Sequence, residues 1–339
     1  MSERIGIVGG GSWGTALANL VGQNGHPVLH WMRDEAAATE INQERRNDKY
    51  LPGITLSSGV EATTDLARLG RECRLLLVVV PSGGVRAVMG ELGNHLDGGH
   101  VLIHCIKGLE TGTFKRMSTV LKEETSCKKI GVLSGPNLAR EVAEGQPSAA
   151  VVASKYPEVI ERARAVLVGR TFRVYGNADV IGTEVGGALK NIYAIASGLA
   201  TGLGFGDNTR AMLLTRGIAE MARLGTHLGA KPATFSGLSG LGDLMATCFS
   251  PLSRNFQVGQ RLARGERMED IVAAMNQVAE GIKTTRAVHE YGQTHGVYLP
   301  ITEGVYKILY QHVSPQAVLG QLMDVSRSVY ELDPEIITD

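Results

Sequence analysis

The sequence predicts an α/β domain on a doubly wound parallel sheet, followed by an all-α C-terminal domain. Three observations predict it. Short apolar runs alternate with helical patterns from residue 4 to about residue 175. The first run opens straight onto a glycine-rich turn and an alanine-rich helix. After Gly182 the strand pattern stops and helical periodicity takes over. The expected domains are residues 1–181 and 182–339, and 339 residues suffice for two cores.

Arg4-Ile5-Gly6-Ile7-Val8 is a short buried strand. It leads into Gly9-Gly10-Gly11-Ser12-Trp13-Gly14 and then a helix from Thr15. Gly9, Gly11 and Gly14 fit G-x-G-x-x-G in the strand–turn–helix setting that this fingerprint requires. The glycines permit a tight turn, backbone approach to a pyrophosphate and close helix–strand packing. The helix N-terminus offers N–H groups to the phosphates. This is a Rossmann-type dinucleotide site.

The second strand, Pro27–Met32, ends at Arg33 and Asp34. An NAD-preferring site often carries an acid at the strand end, for the ribose 2′-hydroxyl. Arg33 suits a 2′-phosphate or stacks on adenine, which favours NADP over NAD; as an exposed loop charge it would carry no such meaning. Residues Ile41–Tyr50 are expected to be helical, ahead of the Leu51-Pro52-Gly53 turn. Leu75–Val80 is a fully apolar strand of the kind found in sheets covered on both faces, and Val101–Ile106 is another strand. Lys107-Gly108 follows the second of these, where a lysine either faces a ligand or sits in an ordinary loop. Ile130–Leu133, Ser148–Ala153 and Thr171–Tyr175 complete the strands. Ser134-Gly135-Pro136-Asn137 is a turn before a helix that starts near Leu138.

Helices are expected over 183–200, 208–229, 255–264, 268–276, 282–295 and 301–311. In the first, Lys190 is the one cation among small and apolar residues, with Gly186 and Gly187 on its face. Either the glycines serve helix packing and Lys190 snorkels to solvent, or Lys190 is buried with a lowered pKa and exchanges a proton. Gly237–Asp243 reads as a glycine-dense loop ending in an acid. Asp243 either caps a helix or holds a lysine or a substrate hydroxyl. Ser253-Arg254-Asn255 supplies a guanidinium fork near a helix start, suited to phosphate, though a solvated turn has the same composition. Val278-Ala279-Glu280-Gly281 is a polar turn within reach of a ribose or nicotinamide in principle.

Lys+Arg and Asp+Glu are both 34, so the net charge of zero argues against nucleic acid as the main partner. Cys73, Cys105, Cys127 and Cys248 are scattered without a C-x-x-C pair, as in a reduced cytosolic protein, and no metal site is expected. The longest apolar run, Leu75–Val80, is too short to span a membrane. No long apolar stretch opens the chain, so no secretory signal is expected.

These segments together resemble the bacterial-type NAD(P)-dependent glycerol-3-phosphate dehydrogenase family. The matching pieces are GGGSWGTALA from Gly9, YLPG from Tyr50, VPS from Val80, KGLE from Lys107 and SGP from Ser134. They continue with GALKN from Gly187, TRGIAEMARL from Thr215, GLSGLGDL from Gly237 and SRN from Ser253. The resemblance implies a site in the cleft between the two domains. It implies reversible conversion of dihydroxyacetone phosphate and sn-glycerol 3-phosphate, supplying phospholipid synthesis in the cytoplasm. By its motifs, Lys190 is the proton-transfer group. Lys107, Gly135, Asn137, Lys190, Asp243, Ser253, Arg254 and Asn255 match substrate positions. Gly9, Gly11, Ser12, Trp13, Gly14, Arg33, Lys107, Ala139, Arg254, Val278 and Glu280 match cofactor positions. Gly186 and Gly187 then read as clearance for nicotinamide or substrate. Asn137-Leu138 departs from the usual hydroxyl residue followed by Phe, turning a hydroxyl contact into an amide one. Gly10, Gly83 and Phe256 also depart from the usual pattern. A homodimer is the expected assembly. The rivals are a related two-domain reductase of a hydroxy acid or sugar phosphate, and a non-catalytic NADP(H)-sensing module.

Overall fold

The computed structural model describes residues 3–275 and 279–323. One compact unit comprises the residues up to Ile106 together with Lys115–Val180. The other comprises Lys107–Phe114 and the residues from Ile181 onward.

The first unit is an eight-stranded sheet. Its strands are β1 (Ile5–Val8), β2 (Val28–Trp31), β3 (Val60–Thr63), β4 (Leu75–Val78), β5 (Val101–His104), β6 (Lys129–Ser134), β7 (Ser148–Ser154) and β8 (Phe172–Asn177). The order is β3-β2-β1-β4-β5-β6-β7-β8, whose first six strands follow the doubly wound dinucleotide-binding order. Strand residues alternate between two cores. Ile5, Ile7, Leu75, Leu77, Val101 and Ile103 share one cluster. Val8, Leu76, Val78 and Leu102 share another. Both faces are covered, which explains the unbroken apolar runs.

Three details differ from the sequence reading. First, β3 was not expected. Its residues alternate between buried Val60 and Ala62 and half-buried Glu61 and Thr63, as befits a short strand at the sheet edge. Second, β7 pairs antiparallel with β6, in register Gly131↔Ser154. Only the short helix Ala139–Ala143 lies between them, and the chain turns back instead of crossing a sheet face. Third, the helix expected at Ile41–Tyr50 is Glu35–Glu44. Asp34 caps it by accepting from the Ala37 N–H at 3.2 Å, and Arg45 ends it at φ 56°. Asn47 then leaves helical geometry to donate to Gly10 O at 3.1 Å and Thr15 Oγ1 at 2.8 Å.

The second unit is helical around the helix Val180–Gly202. A Cβ on Gly198 would stand 2.0 Å from Phe256 O, and one on Gly259 2.0 Å from Ile195 O. Helices Val180–Gly202 and Arg254–Ala263 therefore meet backbone to backbone, which only glycine allows. The remaining helices fall near their expected places, with Asp207–His227, Met268–Ala273, Glu280–His295 and Pro300–Gln311. The helix Pro315–Leu322 was missed. Among the described residues no helix is long and apolar enough to cross a membrane.

Glu220, 1% exposed, sits inside this unit. Its carboxylate accepts from Ile301 N at 2.8 Å, Thr302 N at 3.0 Å and Thr302 Oγ1 at 2.6 Å. It thereby caps the helix Pro300–Gln311, whose own first residues supply no side-chain cap. Burial raises the Glu220 pKa, and these donors oppose the rise. Glu220→Ala orphans buried N–H groups and is expected to cost about 2–4 kcal/mol of stability, at about 1–3 kcal/mol per unsatisfied group. Denaturant titration measures this, and an unchanged midpoint would refute the cap.

Candidate active site

The Val180–Gly202 helix carries Lys190, which is 6% exposed and therefore does not snorkel to solvent. Its Nζ donates to Asp243 Oδ1 and, at 2.6 Å, to Thr247 Oγ1. Lys107 Nζ stands 2.7 Å from the other carboxylate oxygen, Asp243 Oδ2. One buried carboxylate thus lies between two lysines. Lys190 and Asp243, 53 positions apart, do converge.

Glycine placement produces this convergence. A Cβ on Gly186 would lie 2.5 Å from Ser239 O. The expected loop at Gly237–Gly242 is a wide π-helical turn, Leu238–Gly242, running into the helix Asp243–Phe249. Gly186 clears that turn, not a ligand, and the turn aims Asp243 at Lys190. Wide turns of this kind recur at functional sites. Asp243 is not a cap: it lies in the first helical turn, with its carboxylate spent on the lysines. Thr247, one turn on, donates to Asp243 O at 2.6 Å and turns its oxygen toward Lys190.

Burial pushes the Lys190 ammonium down from 10.5 to about 7. Asp243 opposes that shift, and the Lys107 charge adds to it. The result is a lysine poised to give or take a proton near neutral pH.

A second chain of contacts runs from Asn191. Its Nδ2 donates to Lys107 O at 3.1 Å, and its Oδ1 accepts from Asn255 Nδ2 at 2.9 Å. Asn255 Oδ1 in turn accepts from Gly281 N at 3.0 Å. A Cβ on Gly281 would stand 2.7 Å from Asn191 O. Asn255 therefore ties three helices together. Ser253 caps the helix Arg254–Ala263 by accepting from Phe256 N at 3.3 Å. Exposed Arg254 opens that helix, and Glu280 acts on its guanidinium electrostatically. Val278 lies outside the described residues.

Lys107 belongs to a short excursion, Lys107–Phe114, grouped with the helical unit. Leu109 is buried in the helical core. The excursion ends in two left-handed residues, Gly112 at φ 86° and Phe114 at φ 58°. A phenylalanine there costs of order 1–3 kcal/mol and persists only where its surroundings hold it. Its ring stacks on Tyr291, centroids 4.0 Å apart.

In the sheet unit the fingerprint glycines divide by role. Gly9 has φ 129°, and a Cβ on Gly14 would lie 1.9 Å from Gly9 O. Both are forced by the protein itself. Among the described residues, its chain neighbours aside, no atom lies within 4 Å of a Cβ built on Gly11. Gly11 precedes the helix Ser12–Gln23, whose first turn has no side-chain cap. Open space and uncapped N–H groups fit a pyrophosphate. Ser12 Oγ donates to Tyr50 O at 2.7 Å, and Trp13 packs partly on the core. Exposed Arg33 follows β2, while Asp34 is engaged by its cap and by Lys49 at 2.9 Å. Gly135, at φ 136°, follows β6. Asn137 donates to Ala149 O at 3.0 Å, and its buried Oδ1 has no hydrogen-bond partner among the described residues. Ala139 opens its helix. β1, β2 and β6 point the same way, so the residues after them line one edge of the sheet. That is the edge where such sheets bind ligands.

Sequence reasoning missed Thr247, though its place one helical turn after Asp243 was a usable signal. It also missed His30, whose Nε2 contacts Gly9 O at 2.9 Å behind the glycine turn. Burial lowers the His30 pKa to about 4, with the Gly9 carbonyl opposing, so the ring is neutral and donates to that carbonyl. The four cysteines are buried and unbridged. Among the described residues no group of three or more His, Cys, Asp or Glu is placed to hold a metal ion.

Two family models match the chain. The NAD-dependent glycerol-3-phosphate dehydrogenase N-terminus covers residues 4–160, and the C-terminus of the same family covers 179–320. The chain is 48% identical over 319 residues to a glycerol-3-phosphate dehydrogenase (NAD(P)+) of Pseudomonas fluorescens, covering 94% of this chain and 93% of that one. It is 46% identical over 325 residues to the enzyme of that name from Halothermothrix orenii, covering 95% of each. The crystal structure of glycerol-3-phosphate dehydrogenase from Coxiella burnetii is similar at a TM-score of 0.91 and 36% identity, covering 95% of this chain and 99% of that one.

Proposed function

We propose, for a chain that belongs to the NAD-dependent glycerol-3-phosphate dehydrogenase family, that Lys190 is the general acid/base of the reaction. The enzyme is an NAD(P)-dependent glycerol-3-phosphate dehydrogenase that interconverts dihydroxyacetone phosphate and sn-glycerol 3-phosphate. The observation that carries the assignment is the buried Lys190 between Asp243 and Thr247, with its pKa lowered to about 7.

In the reducing direction the Lys190 ammonium donates its proton to the C2 oxygen as that oxygen gains charge. In the oxidising direction neutral Lys190 accepts the hydroxyl proton. The nicotinamide, when bound, supplies or takes the hydride at C2. Asp243 orients Lys190 and balances its charge, and Lys107 adds a second positive charge toward the developing oxyanion. Arg254, at the start of the helix that Ser253 caps, suits the substrate phosphate, and Asn255 fixes that helix start against Asn191. Gly135 and Asn137 are the substrate-side contacts of the sheet unit. Remote binding of the phosphate positions the carbonyl, which is how a small substrate gains rate.

Gly9, Gly11, Ser12, Trp13 and Gly14 are the cofactor's pyrophosphate loop. Arg33 is its 2′-phosphate contact, and Lys107, Ala139, Arg254, Val278 and Glu280 are further cofactor-contact positions. Asp34 is engaged by Lys49 and by its own helix, which leaves Arg33 as the residue placed to meet the ribose 2′ position. NADPH is therefore the preferred reductant. The reading includes a cytoplasmic homodimer whose product feeds phospholipid synthesis.

The test is NADPH absorbance decay when dihydroxyacetone phosphate is added to the purified protein, repeated with NADH and with other ketones. Oxidation of NADPH dependent on this substrate supports the reading. No decay with either nucleotide sinks it, and faster decay with NADH reverses the cofactor preference.

A further inference from the structure

We infer that the ring column Phe114–Tyr291–His295 is a positioning device that holds Lys107 at Asp243. The inference rests on the reading of Lys107 and Asp243 as parts of the active site, and goes beyond it to residues that touch none of the reacting groups.

The excursion Lys107–Phe114 is fixed at three points. At its start, Lys107 O accepts from Asn191 Nδ2 and Lys107 Nζ pairs with Asp243. In its middle, Leu109 is 5% exposed in the helical core. At its end, Phe114 takes a backbone conformation that aromatic residues rarely adopt. Its N–H donates to Glu110 O at 3.0 Å, and its ring stacks on Tyr291 within 13° of parallel, which holds the side chain in place.

Tyr291 is itself braced. His295, one turn later on the same helix face, stacks on it with centroids 3.9 Å apart. His295 Nδ1 lies 3.0 Å from Tyr291 O and donates to it, which fixes the imidazole plane. His227, from the helix Asp207–His227, meets Tyr291 edge-on at 5.9 Å. The helix that bears Tyr291 begins at Glu280, and the Gly281 N–H binds Asn255. One rigid helix therefore joins the Asn255 end of the site to the clamp on the Lys107 segment.

Loss of the clamp frees the segment and withdraws the Lys107 charge from Asp243 and Lys190. The experiment compares Tyr291→Ala, Tyr291→Phe, Lys107→Ala and the Tyr291→Ala/Lys107→Ala pair for kcat, KM and pH dependence. Tyr291→Ala is expected to lower kcat/KM for dihydroxyacetone phosphate roughly 3- to 10-fold, the range a stacked aromatic pair supports. Tyr291→Phe keeps the ring and restores the rate. In the Lys107→Ala background Tyr291→Ala has no further effect, because both act through the same lysine. The pH midpoint of the reduction rate moves up in both single variants, since the Lys107 charge lowers the Lys190 pKa. Amide hydrogen exchange over residues 107–114 rises in Tyr291→Ala while the protein still melts cooperatively.

Additive losses in the pair, or a Tyr291→Phe enzyme as slow as Tyr291→Ala, overturn the inference while leaving Lys107 in the site. Unchanged exchange over 107–114 overturns it as well. A fully active Lys107→Ala enzyme overturns both the inference and the reading beneath it, and the single variant shows which has failed.

Discussion

Lys190→Ala is expected to lower kcat by about 10²–10⁴-fold in both directions while leaving NADPH affinity close to that of the parent enzyme. The side chain is buried, and its Nζ reaches only the Asp243–Thr247 end of the site among the hydrogen bonds seen. Its removal takes away the proton without touching the glycine loop. The pH dependence gives an independent check. With the Lys190 pKa near 7, the reduction rate falls as pH rises through about 7, because the ammonium is the acid. The oxidation rate rises over the same range, because the neutral amine is the base. Stability follows the same group: the folded chain binds fewer protons than the unfolded one between about 7 and 10.5, so this contribution grows with pH across that window. Stopped-flow reduction rates from pH 5 to 9 test the first pair of statements. A flat profile, or a Lys190→Ala enzyme within a few-fold of the parent, removes Lys190 from the chemistry.

Asp243→Asn is the second large effect. The carboxylate is 1% exposed and is the counter-charge for both Lys190 and Lys107. Breaking such a buried arrangement by removing one partner costs about 3–5 kcal/mol when the remaining charge stays. Lys190 sheds part of that cost by losing its proton, so its pKa falls further below 7. The acid needed for reduction then becomes scarce at neutral pH. The expected enzyme is slow at pH 7, recovers part of its reduction rate at lower pH, and melts earlier than the parent. An unmoved pH midpoint together with an unmoved melting temperature would show that Asp243 does not set the lysine's charge.

The sheet was legible because its buried strands announce themselves: Leu75–Val78 is apolar throughout, and Val101–His104 is apolar but for His104. β3 was not legible, since an edge strand needs only Val60 and Ala62 inward and tolerates Glu61. The antiparallel turn of β7 is a property of the connection after β6, and strand composition does not record direction. The π turn before Asp243 was hidden for a similar reason. Glycine density suggests a loop, yet these glycines serve a close passage of Gly186 past Ser239. In the site, the Lys190–Asp243 pairing was within reach of motif reasoning. The sharing of Asp243 with Lys107 and the Asn191–Asn255–Gly281 chain were not, because each depends on long-range helix packing.

That packing also limits how this enzyme can diversify. Behind Lys190, a first side-chain carbon would meet backbone oxygen at 2.5 Å on Gly186, 2.0 Å on Gly198 and Gly259, and 2.7 Å on Gly281. The wall contains no side chains at these points that selection can enlarge or trim. A lineage that acquires a bulkier or smaller substrate must do so through other residues, with the packing around Lys190 held constant. A saturation library scored for ketone preference would then find blank columns at these four glycines.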